Sequence, residues 1–169
     1  DEGELSHMLA YMRLEANNYR WRFNLVTGEV REGDIDDLNT EFNKINPLYG
    51  GQKSRYAYHQ YIPTHAEGGY TLRFTGLVKY DNETGKHWRY DYGPGVFGSE
   101  AVYAPKVGAT RHATEDDGYV VNFVHDTTDW TSWFCVFDAQ DIEQGPVAKV
   151  RLPGRVPAGF HATWAPATS

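Results

Sequence analysis

The chain has 169 residues, enough for one ordinary domain, and carries 23 Asp and Glu against 16 Lys and Arg, a formal net charge of −7. That acidity argues against a nucleic-acid partner, which would want a basic face. No apolar run approaches the roughly 20 residues of a membrane helix, and no charged-then-apolar leader opens the chain; the expected location is cytoplasmic or peripheral to a membrane.

Aromatic residues make up 15% of the chain, with 12 Tyr, 8 Phe and 5 Trp, and these favour strands. Turns are supplied by 17 Gly and 8 Pro, so the composition is that of an all-β protein. The first recognisable element is Tyr19-Arg-Trp-Arg-Phe-Asn24-Leu-Val-Thr27-Gly28-Glu-Val. An alternating run, an Asn, two residues, Thr-Gly and a second alternating run predict a hairpin with Gly in the left-handed position. Asp34, Asp36 and Asp37 follow; they lack the D-x-D-x-D-G spacing of a calcium loop and are expected as a charged loop. Glu41 then opens an apolar-alternating run with Phe42 and Ile45 that closes on Pro47, and a tyrosine-bearing strand is expected over 54–62.

The pattern then recurs. Leu77-Val-Lys-Tyr-Asp81-Asn-Glu-Thr84-Gly85-Lys-His-Trp is a second hairpin of the same design. Asn82-Glu-Thr84 has the form of a glycosylation acceptor, but a bare turn is expected there. Gly93-Pro-Gly95-Val-Phe-Gly98 matches the dinucleotide spacing G-x-G-x-x-G; with Pro94 inside it and no helix after it, it reads as a loop. Glu100-Ala-Val-Tyr-Ala-Pro105 stands where Glu41 to Pro47 stood, and a second tyrosine-bearing strand follows Asp117. Trp133 to Asp138 opens a looser third hairpin that returns through Gly145 into 147–152. Its Cys135 sits among Trp133, Phe134, Val136 and Phe137 and is expected as a buried core thiol; as the single cysteine, it excludes an internal disulfide. The last motif is Arg155-Val-Pro-Ala-Gly-Phe-His161-Ala-Thr-Trp-Ala-Pro166.

Spacing turns these elements into an architecture. Asn24, Asp81 and Asp138 fall at an even interval of 57 residues, and Glu41, Glu100 and His161 follow them at lags of 17, 19 and 23. Repeats of short strands at such periods are the signature of propeller blades, a period of 57 implying long loops. Repeat units of roughly 12–68, 69–125 and 126–169 are expected, the last truncated: about three blades of an incomplete ring. An open array exposes its terminal blades, so the chain is expected to be the C-terminal side of a longer protein. Equivalent positions of successive blades point at the same axis, so Glu41, Glu100 and His161 are expected to converge.

Taken alone, His161 reads as a core histidine bonded to a backbone carbonyl, and the glutamates as solvated charges. Together on one axis they have the make-up of a metal ligand with carboxylates behind it, since a metal-bound His usually donates its second N–H to such a group. His59, His65, His87, His112 and His125 show no ligand-pair spacing and are expected to be structural or surface residues. No nucleophile elbow, P-loop or HExxH is present. Two other readings stand beside the metal site: a propeller binding module without catalysis, and a glycosidase-like propeller with Glu41 and Glu100 as acid and base.

Leu152-Pro-Gly-Arg-Val-Pro-Ala-Gly-Phe-His161 resembles the "LP-x-RVP-x-GFH" signature of the carotenoid cleavage oxygenases, a superfamily that includes the lignostilbene dioxygenases. Thr40-Glu41-Phe-Asn-Lys-Ile-Asn46-Pro resembles its "EFPRINP", Ser99-Glu100-Ala-Val-Tyr-Ala-Pro105 its "E-x-x-FVP", and Glu115-Asp-Asp117-Gly-Tyr119-Val-Val its "EDDGYLL". Gly145-Pro-Val-Ala148-Lys-Val resembles "GPVA-x-V", so the likeness runs in order from about Tyr19 to Pro166. Asn43 and Ala104 depart from the residues the family often has there.

The resemblance implies a seven-bladed β-propeller whose axis carries one Fe(II) held by four histidines, with three glutamates hydrogen-bonded to them from outside. His161 would be the last iron ligand, and Glu41 and Glu100 two of those glutamates. It also implies cleavage by O2 of a conjugated C=C bond in an apolar carotenoid, apocarotenoid or stilbene, giving two carbonyl products without a dissociable organic cofactor. The other three histidines would lie in the remainder of the propeller. The segment alone is therefore expected not to hold iron well or to turn over, and any peripheral membrane contact to run through regions outside it.

Overall fold

The computed structural model describes residues 15–64, 73–110, 114–157 and 160–165; His65, His112 and Pro166 lie outside these ranges. Within them the chain forms ten strands and two short 3-10 turns. The strands are β1 (Asn17–Phe23), β2 (Val30–Lys44), β3 (Tyr56–Tyr61), β4 (Gly76–Asp81), β5 (Lys86–Asp91), β6 (Val96–Gly98), β7 (Val102–Pro105), β8 (Gly118–Asp126), β9 (Thr131–Asp138) and β10 (Pro146–Arg151). Every pairing is antiparallel. One sheet runs β1-β2-β3-β4-β5; the other runs β10-β9-β8-β6, with β7 also on β8.

The hairpins form where the repeated turns stand, and the reason is local. Asn24 Oδ1 accepts the backbone N–H groups of Val26 (3.0 Å) and Thr27 (3.1 Å), Gly28 donates to Asn24 O, and Gly28 takes φ +73°. The β4–β5 turn is its counterpart: Asp81 Oδ1 accepts from Glu83 N (2.9 Å) and Thr84 N (3.3 Å), Gly85 donates to Asp81 O, and Gly85 again has φ +73°. A side-chain acceptor folds the backbone over itself, and the glycine supplies the left-handed residue that closes it. At the third turn Asp138 Oδ1 accepts Gln140 N (2.9 Å), and a 3-10 turn at Ile142–Gln144 fills the longer loop.

One expectation is corrected. Asp34, Asp36 and Asp37 lie not in a loop but inside β2, paired with β1 through Tyr19↔Asp34. This stretch lacks apolar alternation and owes its extended form to the hairpin partner. Asp36 is not merely a solvated charge: it accepts from Leu38 N and Tyr80 OH, and its second oxygen is 3.3 Å from His87 Nδ1.

Packing follows the two-residue period of the strands. Between the two sheets lies the main core: Tyr58 and Leu77 from one side; Ala101, Tyr103, Val120, Val124, Cys135 and Phe137 from the other; Ala139 and Ile142 closing the end. On the outer face of the first sheet Ala57, Tyr61, Val78 and Tyr80 pack with Leu38 and Ile45. On the outer face of the second, Val102, Ala104 and Val121 pack with Phe134, Val136 and Ala162. The central strands are thus covered on both faces, as in neighbouring propeller blades. Cys135 is a core residue at 2% exposure, and burial raises its thiol pKa.

Candidate metal centre

Both glutamates stand at irregularities of the strands that carry them. In β2 the register changes from Glu41↔Gln60 to Lys44↔Tyr58, so the β2 strand holds one extra residue there. The bulge forces Phe42 to φ +56°, a left-handed conformation uncommon for a bulky side chain. Glu100 lies in the gap between β6 and β7. There Ser99 N donates to Phe123 O (2.8 Å), while Ser99 Oγ accepts Phe123 N (3.2 Å). Bulges and breaks of this kind re-aim side chains out of a regular ladder.

Glu100 and His161 are brought together. Glu100 is 2% exposed, and its Oε2 accepts the backbone N–H of Ala162 and lies 3.6 Å from His161 Nδ1. Its Oε1 is 2.9 Å from Lys44 Nζ. The His161 side chain is 73% exposed, and among the described residues no hydrogen bond engages its Nε2. Glu41 does not reach this pair: its Oε2 accepts its own neighbour's N–H, from Phe42 (3.2 Å). It borders a cleft of about 230 Å³ with Thr40, His59, Tyr19 and Trp21. Phe42 bridges the two places, its ring centroid 5.1 Å from His161, 5.2 Å from Phe160 and 4.9 Å from Phe74.

Beyond Phe160 opens an apolar cleft of about 250 Å³, walled by Phe74, Phe97, Trp130 and Val156 with Arg73 and Arg155 at its edge. The remaining described histidines belong to the scaffold. His59 is buried on β3, its Nδ1 3.2 Å from Thr40 Oγ1, and burial holds its pKa down to about 3. His125 bonds Ser132 Oγ (3.0 Å), and burial followed by the Arg155 charge lowers its pKa. Among the described residues no three His, Cys, Asp or Glu side chains gather as a complete cage. Ala158 and Gly159 of the signature lie outside the described residues.

A single imidazole with one nitrogen facing a buried carboxylate and the other unengaged has the chemistry of one metal ligand backed by its orienting group. The donor set thus fits one corner of a metal site. Sequence reasoning missed two contributors: Lys44, which occupies the basic position of the quoted "EFPRINP" motif, and Phe42, whose positive φ leaves no trace in sequence.

Two antiparallel sheets packed face to face, each covered on its outer side, define part of a β-propeller. Solved structures agree: the cobalt-substituted apocarotenoid oxygenase of Synechocystis matches with a TM-score of 0.76 at 24% identity, over 88% of this chain and 30% of that one. The lignostilbene dioxygenase of Pseudomonas brassicacearum matches with a TM-score of 0.75 at 27% identity, over 88% and 32%. Residues 3–166 match the model of the retinal pigment epithelial membrane protein (RPE65) family. The carotenoid 9,10(9',10')-cleavage dioxygenase 1 of Pisum sativum is 40% identical over 157 residues, 85% of this chain and 28% of that protein. The chromoplastic zeaxanthin 7,8(7',8')-cleavage dioxygenase of Crocus sativus is 37% identical over 145 residues, 83% and 38%. The chain belongs to this family, the carotenoid cleavage oxygenases, and spans between about a quarter and two fifths of the length of these relatives.

Proposed function

We propose that this chain is the part of an Fe(II)-dependent alkene-cleaving dioxygenase that contributes one iron ligand, His161, and two outer carboxylates, Glu100 and Glu41. The observation that carries the reading is the pairing of exposed His161 with buried Glu100, at the positions where the "GFH" and "E-x-x-FVP" motifs fall. Bound Fe(II) would supply the redox chemistry by which O2 inserts one oxygen atom into each carbon of a cleaved C=C bond, yielding two carbonyl products.

The chain's own residues do the rest. His161 offers a neutral nitrogen donor, which leaves the metal its full positive charge. Glu100 orients that imidazole and, through Ala162 N–H, the backbone that carries it. Phe42, Phe160 and Phe74 form an apolar wall beside the ring that suits a flat conjugated substrate. The adjoining cleft lined by Phe97, Trp130 and Val156 extends that wall. The substrate class the relatives favour is a carotenoid or apocarotenoid, with a stilbene as the other member of the same chemistry.

The test uses the full-length protein that contains this segment. Purified wild-type protein is expected to hold iron and to consume one O2 per apocarotenoid cleaved. His161→Ala is expected to lose bound iron and to weaken metal affinity by more than ~100-fold. Full iron content and turnover in that variant would overturn the assignment.

A further inference from the structure

A carboxylate at 2% exposure must have its charge met by partners, because burying it unpaired costs several kcal/mol. The partners of Glu100 come from two other repeats. Lys44 reaches across from the bulged end of β2 and sets Nζ 2.9 Å from Oε1. The terminal segment supplies the rest: Oε2 accepts Ala162 N–H and faces His161 Nδ1 at 3.6 Å. Ala162 is itself packed against Val102, Ala104 and Val121, so its N–H is held in place by the core. One carboxylate therefore joins three successive inner segments, with a cation on one oxygen and the histidine-bearing chain on the other.

The division matters because a carboxylate offers two equivalent oxygens and turns freely about its terminal torsion. An ammonium fixed on Oε1 stops that rotation through a charge-assisted bond and leaves the lone pairs of Oε2 to Ala162 and His161. The bulge explains how the lysine arrives. Without the extra residue after Glu41, the side chains beyond it would alternate onto the opposite faces of β2. We propose that Lys44 is a positioning residue of the metal centre, acting through Glu100 to fix the orientation of the His161 imidazole. The proposal rests on His161 being a metal ligand, as argued above.

Lys44→Met keeps the length and apolar stem and removes only the ammonium. In the full-length protein, Co(II) serves as the probe, its affinity read by chelator competition and its ligand field by visible absorption. Lys44→Met is expected to weaken Co(II) binding about tenfold and to change the visible bands. Lys44→Arg, which restores a cation able to bond the same oxygen, is expected to recover both. Wild-type affinity and spectrum in Lys44→Met would overturn the proposal. So would a loss that arginine does not rescue and that merely tracks the thermal midpoint of the metal-free protein, which would mark a structural ion pair. His161→Ala in the same titration separates the two assignments. If it binds Co(II) as tightly as wild type, the ligand reading fails; if it loses Co(II) while Lys44→Met does not, only the role of Lys44 fails.

Discussion

His59 and His161 occupy opposite environments, and the contrast has a pH signature. His161 is exposed beside a carboxylate; His59 is 3% exposed beneath the Tyr80 ring, 4.7 Å between centroids. Burial holds the folded-state pKa of His59 near 3, against about 6.5 in an unfolded chain. Between those values the unfolded chain binds a proton that the folded one refuses. The stability due to neutral His59 is therefore complete above about pH 6.5 and is lost as pH falls toward 3, by up to about 1.4 kcal/mol per pH unit. His125 shifts in the same direction. Asp81, lowered first by its Arg55 hydrogen bonds, adds its own loss only below about pH 4. The pH range from 7 to 5 thus isolates the histidines. In the full-length protein, His59→Gln is expected to flatten the fall in thermal midpoint between pH 7 and pH 5. A fall as steep as that of wild type would assign the dependence elsewhere.

At the scale of elements, two turns of one design have different surroundings and should differ in cost. Asn24 is exposed, and among the described residues its side chain serves only the N–H groups of Val26 and Thr27. Asp81 performs the same turn while 2% exposed, and it also receives Arg55 through Nε (3.1 Å) and Nη2 (2.7 Å). Asn24→Ala is expected to cost about 1 kcal/mol, in line with a lost cap. Asp81→Ala should cost about 2–4 kcal/mol, less than a fully buried pair because Arg55 is 42% exposed. Denaturant midpoints of the two variants check the ranking, and equal costs would contradict it. The turns were legible in the sequence because an Asx acceptor and a glycine four residues on act locally. The acidic part of β2 was not, because its extension is imposed by pairing with β1 and not by an apolar period. Nor were the bulge at Phe42 and the gap at Glu100, since each is a conflict between neighbouring strands that no single stretch of sequence records. The adjacency of Glu100 and His161 was legible through the repeat. The turning of the Glu41 carboxylate onto its own backbone was not.

The whole molecule depends on how one sheet is fastened to the next. The stretch between the second and third hairpin turns divides between the sheets: β5 stays on β4, while β6, β7 and β8 join β9. Beyond the shared core, polar contacts also fasten the sheets, and a dense group of them lies in the segment before β8. Glu115 Oε1 accepts Ser54 Oγ (2.8 Å), Arg55 N (2.9 Å) and Tyr56 N (2.8 Å), capping the start of β3. The Glu115 carbonyl accepts Asn46 Nδ2 (2.8 Å) and Tyr103 OH (3.1 Å). Next to it, Asp116 takes Lys79 Nζ at 2.6 Å, and that ammonium also donates to Gln140 O (3.2 Å) and lies 4.4 Å from the Tyr56 ring centroid. Lys79 and Asp116 are 4% and 6% exposed, so removing either partner strands a charge in the interior. Lys79→Met alone and Asp116→Leu alone are each expected to cost about 3–5 kcal/mol. The double variant should recover much of that loss, because an apolar pair of similar volume carries no desolvation penalty. Calorimetry of the full-length protein and the two single and one double variants measures this as a coupling energy. Additive losses in the double variant would mean that the ion pair does not act as a unit and that Lys79 holds the two sheets through its separate bond to Gln140.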